Sequence, residues 1–155
     1  MKGDPKVLKT LNSLLADELT AINQYMVHSE MCDNWGYAKL HGLIEKRAID
    51  EMKHAETLIA RILFLEGTPI VSTLRPIHVG AEVPKMFEND RGSEAGAIKS
   101  YNAAIKLCGD VADFATREVL EGILQAEDGH IDAIEEIQDQ IRQMGLPIFL
   151  ATQVG

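Results

Sequence analysis

The chain has 155 residues, enough for one domain with a real core. Lys plus Arg number 15 against 24 Asp plus Glu, a formal net charge of −9. That balance argues against a general nucleic-acid binder or a protein drawn to anionic membranes, and it suits the attraction of cations.

The first helix is predicted to start at Asp4-Pro5, an N-cap followed by proline at the first helical position, and to run to about Asn34. Its apolar stripe reads Leu11, Leu15, Glu18, Ile22, Tyr25, and Gly36 is the stop. The second helix spans roughly Lys39 to Leu65 and ends at Gly67, with Ile44, Ala48, Glu51, Ala55, Leu58 and Ile62 on one face. From Gly67 to Val83 the chain is irregular and too long for a tight hairpin. Extended at about 3.3 Å per residue it can run the length of a bundle, which would make the second and third helices parallel. The third helix runs from Pro84 to about Leu107, with Glu94, Ile98, Tyr101 and Ile105 in phase, and turn chemistry is expected at Gly109-Asp110. The fourth spans roughly Val111 to Met144 and stops at Gly145, its stripe being Leu120, Ile123, Glu127, His130, Ile134, Ile137 and Ile141. After Gly145-Leu146-Pro147 comes a short apolar tail, Ile148, Phe149, Leu150 and Val154, with no obvious burial site in a single bundle, so it marks either an interface or a segment that frays or packs on its own subunit.

Polar residues interrupt these stripes in a pattern that occurs twice. Glu18 lies 33 residues before Glu51-x-x-His54, and Glu94 lies 33 residues before Glu127-x-x-His130, so the constellation repeats at an offset of 76. In an antiparallel hairpin, residues equidistant from the turn sit at one height. The midpoints fall at Asn34-Trp35 and at Asp110, both beside predicted turns. Three residues at about 100° each leave Glu and His roughly 60° apart on one helix face, where both can reach one ion. One carboxylate plus one Glu-x-x-His, doubled, is the known ligand set of di-iron and di-manganese bundles. The plain alternative, surface glutamates with partly buried histidines, would suffice for a single copy. It does not explain two copies with matched partners in core-facing phase.

The cysteines at 32 and 108 are isolated, so neither a zinc knuckle nor a rubredoxin-type iron site is available, and two stray thiols fit a reducing compartment. The opening MKGDPKVLKT carries no apolar signal region and no stretch is long enough to span a bilayer; a cytoplasmic protein is expected.

Over nearly its whole length the chain resembles the bacterioferritins. The resemblance rests on Met1-Lys2-Gly3-Asp4, Leu19-Thr20-Ala21-Ile22-Asn23-Gln24-Tyr25, Ile49-Asp50-Glu51-Met52-Lys53-His54-Ala55, Arg61-Ile62-Leu63-Phe64-Leu65-Glu66-Gly67 and Glu127-x-Gly129-His130-Ile131-Asp132. It implies an all-α, ferritin-like four-helix bundle with a long crossover and a short fifth helix, the whole chain forming one di-iron domain. It further implies a ferroxidase in a hollow shell of 24 identical subunits built from two-fold dimers, which oxidises Fe(II) with oxygen or peroxide and stores the Fe(III) mineral. Two iron ions per subunit would be held by Glu18 with His54 and by Glu94 with His130, with Glu51 and Glu127 bridging. Tyr25, on the stripe of Glu18, could bond the site or simply pack.

By the same resemblance Met52 would be an axial ligand of a b-type haem shared between two subunits, with Leu19, Asn23, Met26 and Ile49 lining the pocket. Spacing places Met52 about 100° from Glu51, off the metal face and along an outer stripe with Ile49, Ala55 and Ile59. A thioether is a soft iron ligand, though spacing alone would make it a packing residue. A ferredoxin-type electron donor would serve iron release. Relatives with an inner-surface iron site carry histidine where this chain has Lys46, a cation that speaks against such a site although Asp50 is retained. Ala126 and Ala133 likewise replace acidic and aromatic side chains of some relatives. Four other functions compete: haem electron transfer with storage incidental, a rubrerythrin-like peroxidase, a DNA-protecting mini-ferritin, and a structural bundle without metal chemistry, which would have to explain six polar residues in four apolar stripes. The second lacks its cysteine pairs. The third would place ligands between subunits.

Overall fold

The computed structural model describes residues 1–155, and its regular elements are all helices, with no strand. Its helices are α1 (Pro5–Asn34), α2 (Ala38–Phe64), α3 (Val83–Asp110), α4 (Phe114–Met144) and α5 (Leu146–Ala151). Asp4 caps α1 by accepting from the Lys6 and Val7 amides, with Pro5 in the first turn where its missing N–H costs nothing. Gly36, at φ 84°, turns the chain from α1 into α2.

Side-chain pairs fix the topology. Glu18 meets Tyr101 and Tyr25 meets Glu94, so α1 and α3 are antiparallel; His54 meets Glu127 and Asp50 meets His130, so α2 and α4 are antiparallel too. With the α1/α2 hairpin closed by its short turn, α2 and α3 run parallel, as the long connection requires. That connection lies along α1 through polar side chains. Asn12 bonds the backbone of Thr68 and Ile70, and the Arg75 guanidinium reaches Asp17 and Ser13. The Arg75 amide donates to Thr20, the His78 amide to Gln24, and the Gly80 amide to His28 Nε2. Gly80 has no room for a side chain, since a Cβ would stand 2.4 Å from the Met86 amide nitrogen.

Apolar side chains form two clusters along the bundle axis, with the repeated polar residues between them. One holds Leu11, Leu15, Leu58, Ile62, Leu120 and Ile123; the other holds Tyr25, Leu40, Ile44, Phe87, Ile134 and Phe149.

Two sequence expectations need correction, and the alternative left open for the tail is settled in part. The fourth helix begins at Phe114 rather than Val111, because α3 runs on through Gly109 and the turn falls at Ala112, whose φ is 60°, with Asp113 capping α4. The tail is not left wholly unburied: Phe149 inserts into the second cluster, while Ile148 and Val154 remain exposed. On α2, Ala55 belongs to the core rather than to the outer stripe of Met52.

Candidate metal centre

All six residues of the repeated pattern meet at the middle of the bundle. Each helix presents its carboxylate where an apolar residue would otherwise fall, so Glu18, Glu51, Glu94 and Glu127 are all at most 2% exposed. The two histidines, one turn beyond Glu51 and Glu127, are slightly more open and face each other with ring centroids 6.1 Å apart. Ligand atoms fall into two groups, Glu18, Glu51, His54, Glu127 and Glu51, Glu94, Glu127, His130. Glu51 and Glu127 are common to both, which gives the centre an approximate two-fold symmetry matching the sequence repeat.

His54 Nδ1 lies 3.0 Å from Glu127 Oε1, and 3.7 and 3.8 Å from Glu51 and Glu18. His130 Nδ1 lies 2.8 Å from Glu51 Oε1, 3.3 Å from Glu127 Oε2 and 3.5 Å from Glu94 Oε1. The short approach to Glu51 Oε1 is not aligned as a hydrogen bond. That oxygen is therefore buried without a partner, as are Glu18 Oε2 and Glu94 Oε2.

Crowded carboxylates in a dry core cannot all ionise. Burial, with Glu51 and Glu127 close by, raises Glu18 well above the usual carboxylate range. Burial likewise pushes Glu94 up to about 9. Burial would also raise Glu127, yet the bonds from His130 and His54 hold it well below that range. The same bonds overcome the burial of the imidazoles, lifting His54 to about 9 and His130 to about 12. Without metal, then, protons sit where cations would.

Around this centre lie groups that the sequence reading left open or missed. The Tyr25 hydroxyl donates to Glu94 at 2.7 Å, which decides that residue in favour of bonding the site. The Tyr101 hydroxyl donates in the same way to Glu18. Burial raises both phenols well above their ordinary value, so both remain donors. Tyr101 stands at the same offset of 76 from Tyr25 as each glutamate from its copy, a signal present in the sequence. Asp50 Oδ2 lies 3.1 Å from His130 Nε2, an orienting contact no spacing rule suggested. A buried network of Asp90 with Arg47, His28 and Gln24 supports Tyr25 from behind, the Arg47 guanidinium lying 5.2 Å over the Tyr25 ring.

A cleft of about 600 Å³ between α1 and α3 opens onto Glu18, Glu51 and Glu94. Its walls include Asp17, Glu88, Gly92 and Ser100, and the crossover residues Arg75 and His78 lie at its edge. The second predicted site is separate. Met52 is 46% exposed on α2, with Ile49 one turn before it and Met26 on α1 also exposed, while Leu19 and Asn23 on α1 are half-buried. No helix is long and apolar enough to cross a membrane.

Comparison with known proteins agrees with this architecture. A ferritin-like domain model matches residues 8–144. The bacterioferritin of Rhodobacter capsulatus is 38% identical over 154 residues, spanning 97% of this chain and 96% of its own. That of Brucella melitensis biotype 1 is 37% identical over 145 residues, spanning 94% and 90%, and that of Streptomyces coelicolor 40% identical over 154 residues, spanning 99% and 92%. With a bundle of the expected topology and near-complete alignment to such relatives, this chain belongs to the bacterioferritin family.

Proposed function

We propose that this chain is the subunit of an iron store and oxidises Fe(II), its substrate, at the six-residue centre. The observation that carries the reading is the pair of ligand groups sharing Glu51 and Glu127, with carboxylate oxygens buried and unbonded beside them. Such oxygens cost free energy in a dry core, and cations between them relieve that cost. Glu18 with His54, and Glu94 with His130, would each take one ion; Glu51 and Glu127 would bridge. Carboxylate oxygen and imidazole tolerate both Fe(II) and Fe(III). Tyr101 and Tyr25 orient Glu18 and Glu94, and those two carboxyls give up their protons as iron binds. Each Fe(II) loses one electron; the pair reduces dioxygen, with two protons, to hydrogen peroxide, or peroxide, with two protons, to water. The cleft between α1 and α3 offers an access route to Glu18, Glu51 and Glu94.

The reading extends to the assembly. The exposed Met52, Met26 and Ile49 make an apolar face that a second copy of the chain would close, and a thioether on such a face fits a b-type haem ligated by Met52 and its copy. Leu19 and Asn23 would line its wall. When bound, the haem supplies a path for electrons from a ferredoxin-type donor to the stored mineral. The exposed Ile148 supports shell contacts through α5, in a 24-subunit particle of two-fold dimers. The whole chain would act as one domain, in the cytoplasm.

Rapid mixing with Fe(II) in air tests the centre. The protein should oxidise about two ions per subunit in the first phase, and Glu127→Gln, which removes a bridging charge but keeps the shape, should slow that phase roughly tenfold or more. An unchanged first phase in the variant would sink the proposal.

A further inference from the structure

The offset of 76 that relates the two halves of the centre holds for all six ligands and for Tyr25 and Tyr101, but it fails one layer further out. On one half, His130 Nε2 lies 3.1 Å from Asp50 Oδ2. A carboxylate only accepts, so Nε2 is the donor, and Nδ1 is the nitrogen turned to the glutamates. The position related to Asp50 by the offset is Ala126, whose methyl cannot accept a hydrogen bond. His54 is correspondingly bonded through Nδ1 alone.

The two tyrosines differ in the same sense. The Arg47 guanidinium lies 5.2 Å over the Tyr25 ring and donates to Asp90 Oδ2 at 3.1 Å, while Asp90 Oδ1 accepts from Gln24 and His28. Arg47 and Asp90 are 3% and 0% exposed. Their counterparts by the offset are Ile123 and Leu14, and the counterpart of His28 is Ala104. Tyr101 accordingly packs in an apolar cluster with Leu14, Ala104 and Ile123. A buried ion pair adds little net stability, because desolvation offsets the attraction. What this pair contributes is geometry: a planar cation over the ring favours one orientation of Tyr25, with its hydroxyl on Glu94. Tyr101 is held by shape alone.

Partners of this kind orient metal ligands and raise their basicity, and losing one typically costs about 10- to 100-fold in metal affinity. From the broken symmetry we infer that the two metal positions are unequal: the ion between Glu94 and His130 is held tightly and fills first, the ion between Glu18 and His54 is held loosely, and Asp50 and Arg47 are the positioning residues that make the difference. This rests on the reading of the six residues as a two-ion centre.

Calorimetric titration of the assembled, iron-free protein with Zn²⁺ tests the inequality without turnover. The parent should show two steps whose affinities differ roughly tenfold or more. Asp50→Ala, at a half-buried position, should weaken the tighter ion roughly tenfold and leave the other unaltered. Ala126→Asp, which gives His54 the partner it lacks, should strengthen the weaker ion by about the same factor. Arg47→Met alone would strand Asp90 in the core, so it is paired with Asp90→Asn, whose Oδ1 can still accept from Gln24 and His28. That double variant should also weaken only the tighter ion; a lower melting temperature with both affinities intact would make the pair a structural brace and overturn its positioning role. Two ions of equal affinity in the parent, or a tighter ion untouched by Asp50→Ala, would overturn the inequality and leave the two-ion centre standing. Failure to bind a pair at all would remove the centre itself.

Discussion

Tyr101→Phe probes the symmetry of the centre, because it removes one hydroxyl and leaves the ring volume in place. Glu18 Oε2 already has no hydrogen-bond partner, and the Tyr101 hydroxyl is the donor to its other oxygen. In the metal-bound state Glu18 must be ionised, and a hydrogen bond to a charged group contributes about 1.5–3 kcal/mol. Loss of that bond corresponds to roughly a 10- to 100-fold loss of affinity, the range found when outer contacts of metal ligands are removed. The loss should fall on one ion only. Glu94 keeps its bond from Tyr25, so the ion held by Glu94 and His130 should be little affected. Calorimetric titration of the iron-free protein with Zn²⁺, an ion that does not oxidise, would resolve one weakened and one unaltered site; Tyr25→Phe should reverse which one weakens. If Tyr101→Phe left both affinities within about threefold of the parent, the hydroxyl would not position Glu18 and the argument would fail.

Three other outcomes are expected. Zinc loading at pH 7 should release protons, because Glu94, raised to about 9 by burial, is protonated below that value and must ionise to ligate; pH-stat titration should record less release as the pH rises through 9, and none at pH 7 would contradict the protonation assigned here. Met52→Leu should abolish or greatly weaken haem binding while first-phase iron oxidation continues, at a stability change within about 0.5 kcal/mol for so exposed a residue; an unaltered haem spectrum would remove Met52 as ligand. Ile148→Asp should leave the subunit helical, since that side chain is 63% exposed, but lower the native mass seen by light scattering; a full-size shell would deny α5 its contact role.

The central ligands were legible in the sequence because hairpin geometry converts spacing into height. Glu18 and Glu51 flank the Asn34-Trp35 midpoint symmetrically, and helical phase does the rest. Tyr101 was equally readable through the offset of 76, but it sat in an apolar stripe where an aromatic ring needs no further explanation. Asp50 was not readable: its contact with His130 depends on the lateral placement of α2 and α4, which no local period encodes. The same holds for Asp90, whose partners Gln24, His28 and Arg47 come from two other helices. The start of α4 was misplaced because Gly109 looked like the turn, whereas Ala112 takes the left-handed conformation. Met52 shows the limit of spacing in the other direction. Its phase says only that it faces outward, and nothing in the spacing marks it as a ligand.

The polar row on α1 that holds the crossover, Asn12, Ser13, Asp17, Thr20, Gln24 and His28, works as a template. The extended segment has no hydrogen-bonded structure of its own, so its path depends on the helical α1 that aligns those side chains. Connecting segments ordinarily tolerate insertions because little depends on their register. Here one added or deleted residue near Thr73 would put Arg75, His78 and Gly80 out of step with their partners together, and Gly80 also fits only where Met86 leaves room for its bare Cα. Length in this connection is therefore held as tightly as in a strand, and the freedom to vary lies in the side chains that point away from α1.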